Sequence, residues 1–141
     1  MQIIIKSVQD MKWLADKLIP YLENGKVYTL NGDLGAGKTT LVSLIANKLN
    51  VQETPTSPTF SLVNIYNGDM IINHLDLYRL ESPEEIESFE YEEYFYPEDS
   101  ITFIEWPERA LEYLPRDVVK ITIKLAEDGT RLVDIDGIDF E

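Results

Sequence analysis

The stretch Gly32-Asp33-Leu34-Gly35-Ala36-Gly37-Lys38-Thr39-Thr40 packs three glycines, a lysine and two threonines into nine consecutive positions. Gly32, Gly37, Lys38 and Thr39 satisfy the spacing G-x-x-x-x-G-K-[ST] without a mismatch. That spacing suits one kind of chemistry. Glycines let the backbone take positive φ and come close to a ligand, so that successive N–H groups can point at phosphate oxygens. A helix starting at the end of the loop adds positive partial charge. Lys38 supplies a mobile point charge for the β- and γ-phosphates, and the Thr39 hydroxyl can ligate Mg²⁺. The stretch therefore reads as a P-loop binding a nucleoside triphosphate.

Such a loop needs an acid near the metal and a group that orients the attacking water. Two apolar runs end in acids: Asp76 closes "IINHLD" and Glu105 closes "ITFIE". Ligands of open α/β sheets bind at the carboxyl ends of parallel strands, so both acids are expected to face the phosphates. Either serves as the closer metal ligand on this reasoning. Trp106 follows Glu105 directly and is placed at the same end of the sheet. Arg131 is one of four arginines and a candidate nucleotide contact. Arg79 is read as reaching phosphate or, in preference, as part of a structural ion pair. His74 lacks partners at metal-site spacing and is read as a core or edge histidine.

The elements that must carry these residues follow from periodicity. "QIIIK" opens as a strand. Ser7 with Asp10 resembles a capping box and precedes a helical stripe of Met11, Leu14, Leu18 and Leu22, which ends before Gly25. Lys26 to Asn31 reads as a strand feeding the glycine loop, and Leu41, Leu44, Ile45 and Leu49 mark a helix from Lys38. Asn67-Gly68 between two β-rich runs signals a hairpin. A two-residue turn there pairs Tyr66 with Asp69 and brings Thr59 opposite Asp76. "TSPT" then offers hydroxyls as a switch loop, or else forms an ordinary ST-turn. Ser82-Pro83-Glu84-Glu85 starts an acidic helix reaching about Phe95. A short helix opens at Pro107, and two strands joined across "AEDGT" close the chain. The expected class is α/β with a mixed sheet, in one domain spanning 1–141.

Composition bounds the partners. The chain has 141 residues, 44% apolar and 27% charged, with 26 acidic against 12 basic residues and a net charge of −14. That field opposes binding to a phosphate backbone, so strong direct nucleic-acid binding, tRNA included, is not expected of the chain alone. It either keeps the protein soluble or attracts a basic partner. Cysteine is absent, which excludes disulfides, thiolate metal sites and a cysteine nucleophile. No run is long enough for a membrane span, and a cytoplasmic location is the expectation.

"GDLGAGKTT", "SPTF", "HLDLYR" and "EWPE" occur in this order. Together they resemble the bacterial ATPase family required for tRNA threonylcarbamoyladenosine synthesis, the TsaE family, over nearly the whole chain. The resemblance implies a P-loop fold with parallel core strands flanked by antiparallel ones. It also implies a weak intrinsic ATPase using ATP and Mg²⁺. The implied partners are a kinase-like threonylcarbamoyl transferase subunit and that protein's paralogue. Lys38 and Thr39 match the phosphate and Mg²⁺ positions, Asp76 the acid of the histidine-aspartate-tyrosine-arginine motif, and Glu105 with Trp106 the glutamate-tryptophan pair, whose glutamate binds metal. Glu90 departs from the glycine often found there, which bears on the shape of the acidic helix. Three rivals stand beside this reading. A small-molecule kinase would need an arginine-rich lid that four scattered arginines do not make. A GTPase would need a final Asp that "NKLN" lacks. A nucleotide-gated scaffold would bind without turnover.

Overall fold

The computed structural model describes residues 1–52 and 62–140. Its strands are β1 (Gln2–Ile5), β2 (Val27–Asn31), β3 (Val63–Asn67), β4 (Ile71–Asp76), β5 (Ile101–Glu105), β6 (Val119–Leu125) and β7 (Arg131–Asp136). Its α-helices are α1 (Val8–Leu18), α2 (Lys38–Lys48) and α3 (Glu92–Phe95). The strands form one sheet in the order β1-β7-β6-β2-β5-β4-β3. Strands β6, β2, β5 and β4 run parallel. Strands β1 and β7 on one side and β3 on the other pair antiparallel, so the expected mixed sheet is observed.

Strand alternation sorts the core into two layers. Tyr28, Leu30, Ile72, Ile101 and Phe103 pack with Leu14 and Leu18 of α1 and with Leu41 and Ile45 of α2. Val27, Leu75 and Ile104 pack instead with Ile86, Phe95 and Ala110. The central strands are therefore covered on both faces, as parallel strands require, and β5 is buried along its full length. Helix α1 starts where Ser7 Oγ accepts from Asp10 N–H at 3.2 Å. The return arm of this box reaches one residue further back than expected, from Lys6 N–H to Asp10 Oδ2 at 2.8 Å. Helix α2 grows from Gly37, whose φ of +111° suits the loop-to-helix junction and favours glycine.

Two expectations are corrected. The β3–β4 hairpin pairs Tyr66 with Ile72 and Asn67 with Ile71, not Tyr66 with Asp69. The residue facing the end of β4 is Leu62, whose carbonyl accepts from Asp76 N–H at 3.1 Å. The expected pairing of Thr59 with Asp76, and "TSPT" as a whole, fall outside the described residues. The cause of the changed register is tertiary. The turn is drawn onto the end of α2, where Asp69 N–H donates to Leu49 O at 2.6 Å and Asn50 Nδ2 to Asp69 Oδ2 at 2.8 Å. Gly68 packs so closely on the Leu49 carbonyl and Val51 that no side chain fits there. Neither Asn67 nor Gly68 takes the positive φ that a two-residue type I′ turn demands.

The acidic helix is also broken. Pro83–Ser88 forms a 3₁₀ turn, Phe89 is extended at φ −137° and ψ 171°, and only Glu92–Phe95 is α-helical. The start is as expected, since Glu85 Oε2 accepts from the N–H groups of Glu81 and Ser82. Like charges three and four apart oppose a continuous helix. The break lets both Ile86 and Phe95 enter the same apolar layer.

Candidate functional site

Strands β2, β4 and β5 deliver the glycine loop, Asp76 and Glu105 to the same end of the sheet. Asp76 and Glu105 are register partners on adjacent parallel strands. Both line a cleft of about 250 Å³ together with Lys38, Thr39, Trp106 and Arg131. Gly32 closes the loop against β6: a Cβ there would meet the Ile123 carbonyl oxygen at 2.5 Å. Gly37 is crowded by Met11 and by Arg131. The loop is thus a cradle lined by backbone at the N-terminus of an 11-residue helix, the arrangement that suits an anion.

Lys38 is buried, with Nζ donating to Gly32 O at 2.5 Å and lying 3.7 Å from the centroid of the Trp106 ring. Burial lowers its pKa, and Glu105, Asp76, Glu108 and Asp33 act against that lowering. Trp106 takes a left-handed backbone at φ 58° and ψ 51°, strained for so bulky a residue. That conformation turns the indole back toward the loop, where it also packs on Tyr78 with ring centroids 4.8 Å apart.

Thr39 Oγ1 donates to Glu105 Oε2 at 2.9 Å, joining α2 to β5. The same carboxylate oxygen lies 2.6 Å from His74 Nε2. Asp76 is half-buried. Burial, first, raises its pKa; the Tyr78 N–H bond to Oδ1 at 3.0 Å opposes this, and the nearby Glu105 adds to it. A carboxyl whose pKa is raised by folding holds its proton more tightly folded than unfolded. Ionising it therefore costs stability as pH rises through the folded-state value, and nothing below the unfolded one. Asp76→Asn keeps the acceptor for Tyr78 and removes the charge. Without added metal or nucleotide it is expected to melt above wild type near neutral pH, with the gain fading in acid. Melting curves across that range check it.

Among the described residues no three His, Asp or Glu side chains form a metal site by themselves. A hydroxyl and two carboxylates at one cleft are hard oxygen donors, which fits Mg²⁺, an ion that uses one or two carboxylates and takes other ligands from substrate phosphate. Arg131 lies in the cleft wall, but its guanidinium buttresses the loop: Nε donates to Ala36 O at 2.7 Å, and a terminal nitrogen lies 3.4 Å from Gly35 O. Sequence reasoning did not single out Tyr78, which lines the cleft; His74, expected as a core or edge histidine, is fully buried, and what that reading left out is its contact with Glu105. The available signal for His74 was its place two residues before Asp76, on the same face of β4. Among the described residues no helix is long and apolar enough to cross a membrane.

The chain is similar to known proteins over most of its length. The model of the family described as "Threonylcarbamoyl adenosine biosynthesis protein TsaE" matches residues 5–133. A tRNA threonylcarbamoyladenosine biosynthesis protein TsaE from Treponema pallidum is 36% identical, covering 96% of this chain and 99% of that protein. Its namesake from Rickettsia bellii is 37% identical, covering 95% and 93%. The crystal structure of Bacillus subtilis YdiB superposes with a TM-score of 0.76 at 30% identity, covering 94% of this chain and 82% of that one.

Proposed function

The chain belongs to the TsaE family of threonylcarbamoyl adenosine biosynthesis proteins, and from that premise we propose that it is the ATP-binding, slowly hydrolysing subunit of the cytoplasmic machinery that makes threonylcarbamoyladenosine on tRNA. The observation that carries the enzymatic part is the junction at Thr39. A phosphate-loop hydroxyl and a buried strand-end carboxylate meet at 2.9 Å, beside a lysine held at the loop. A fold needing only an anion cradle has no use for that acid.

In this reading the loop N–H groups and Lys38 hold the triphosphate, while Thr39 and Glu105, with Asp76 beside them, hold Mg²⁺. The bound cation supplies neutralisation of charge on the phosphate oxygens. Asp76 and Glu105, adjacent at the strand ends, are placed to orient a water toward the phosphate. Trp106 covers the lysine and limits solvent access to it. Arg131 keeps the loop in shape and is already engaged with its carbonyls. Many P-loop enzymes need an arginine to stabilise transition-state charge. Among the described residues Arg131 is the arginine that lines the cleft, which supports slow turnover alone and stimulation by the kinase-like transferase subunit and its paralogue. The chain's charge of −14 supports a protein partner ahead of direct contact with tRNA.

The test is steady-state ATP hydrolysis with and without those two proteins, with no other acceptor present. Slow turnover alone and faster turnover in the mixture are expected. Fast hydrolysis by the isolated chain, unaffected by them, would sink the assembly reading. Nucleotide binding without turnover in any mixture would identify a scaffold.

A further inference from the structure

A chain of hydrogen bonds runs behind the cleft. The Tyr66 hydroxyl lies 3.1 Å from His74 Nδ1, His74 Nε2 lies 2.6 Å from Glu105 Oε2, and that oxygen accepts from Thr39 Oγ1. Four elements contribute: β3, β4, β5 and α2. His74 has no exposed surface, and Tyr66 and Glu105 are buried too. Polar groups so placed are costly unless each is met by a partner, and a satisfied network of this kind selects one arrangement of its members.

We propose that His74 is a positioning residue for Glu105: its Nε2–H, held in place by Tyr66 at the opposite ring nitrogen, fixes the carboxylate that faces the phosphate loop. The inference rests on the ATPase reading above. Whether the imidazole is neutral or charged, the proton facing the carboxylate is on Nε2. The distance of 2.6 Å is that of a strong, charge-assisted bond. A glutamate has three side-chain torsions to restrain, and His74 and Thr39 converge on a single oxygen, Oε2, from two sides. This leaves the carboxylate little freedom to rotate away. Partners that orient metal-binding groups are typically worth about 10- to 100-fold in affinity or activity.

His74 is the only histidine of the chain, so its ring nitrogens can be observed without ambiguity. In the protein free of metal and nucleotide, nitrogen NMR is expected to show a proton on Nε2 that exchanges slowly with solvent. Glu105→Gln should shift that signal strongly, and Tyr66→Phe should speed its exchange. In the mixture with the partner proteins, His74→Leu is expected to lower kcat about 10- to 100-fold and to raise the Mg²⁺ concentration needed for half-maximal rate. KM for ATP should stay within about twofold, because the phosphate loop itself is untouched. His74→Gln places an N–H near the same point and should recover most of the loss. Tyr66→Phe should lose rate in the same direction by a smaller factor, and it decides the matter with the NMR signals if His74→Leu does not fold.

The proposal is overturned by an Nε2 signal that ignores Glu105→Gln. It is equally overturned by His74→Leu matching wild type in kcat and Mg²⁺ dependence while Glu105→Gln is inactive. A wild-type protein that never hydrolyses ATP defeats the ATPase reading instead, and the NMR signature then still reports whether His74 holds Glu105.

Discussion

Lys38→Ala is expected to lower ATP turnover in the partner mixture by about 100-fold or more, with affinity for a non-hydrolysable ATP analogue falling alongside. A factor of 100 corresponds to about 2.7 kcal/mol of transition-state stabilisation, in the range of one charge-assisted contact to a phosphate in a sheltered cleft. The geometry explains why no neighbour compensates. Arg131, the other cation lining the cleft, has its guanidinium on the carbonyls of Ala36 and Gly35. The protein should nevertheless stay folded. Burial lowers the Lys38 pKa, so charging this group in the folded state costs stability below its ordinary value. Removing the ammonium relieves that cost and offsets the lost contacts to Gly32 and Trp106. Trp106 fluorescence reports the binding, with Trp13→Phe removing the only other tryptophan signal. Equal analogue binding and equal hydrolysis in variant and wild type would defeat the assignment of this loop to nucleotide.

Glu105→Gln is expected to lower turnover by about 100- to 1,000-fold, the range seen when a single electrostatic contributor to a transition state is removed. Analogue affinity should suffer less than in Lys38→Ala. The substitution keeps the size of the side chain and an acceptor for both Thr39 and His74, which limits the structural damage. It removes a buried negative charge that touches the loop helix. The distinguishing readout is a Mg²⁺ titration of the rate. A requirement for more Mg²⁺ supports Glu105 as the metal-binding acid. An unchanged Mg²⁺ profile would transfer that role to Asp76, which stands beside it in register and carries the raised pKa of a desolvated carboxylate.

The sequence by itself determined the parts whose physics is local. The glycine spacing from Gly32 to Gly37 specifies backbone freedom over six residues. Apolar runs ending at Asp76 and Glu105 specify buried strands with an acid at the mouth of the sheet, and the stripe of Met11, Leu14, Leu18 and Leu22 specifies a helix face, although α1 itself stops at Leu18 and a 3₁₀ turn follows. Each is an interaction among residues a few positions apart, so spacing alone reveals it. The tertiary structure decided what depends on distant partners. The β3–β4 register followed the docking of Gly68 and Asp69 on the end of α2, which outweighed the local preference of Asn-Gly for a tight turn. The acidic segment broke at Phe89 because two separate residues, Ile86 and Phe95, had to reach one apolar layer. His74 is buried as a core histidine would be, but its partner Glu105 lies 31 residues away, and the bond from Arg131 to Ala36 spans 95, so neither contact shows in local spacing. Trp106 became the cover of Lys38 only through a left-handed backbone that no local pattern favours for tryptophan, held there by packing against the loop and Tyr78.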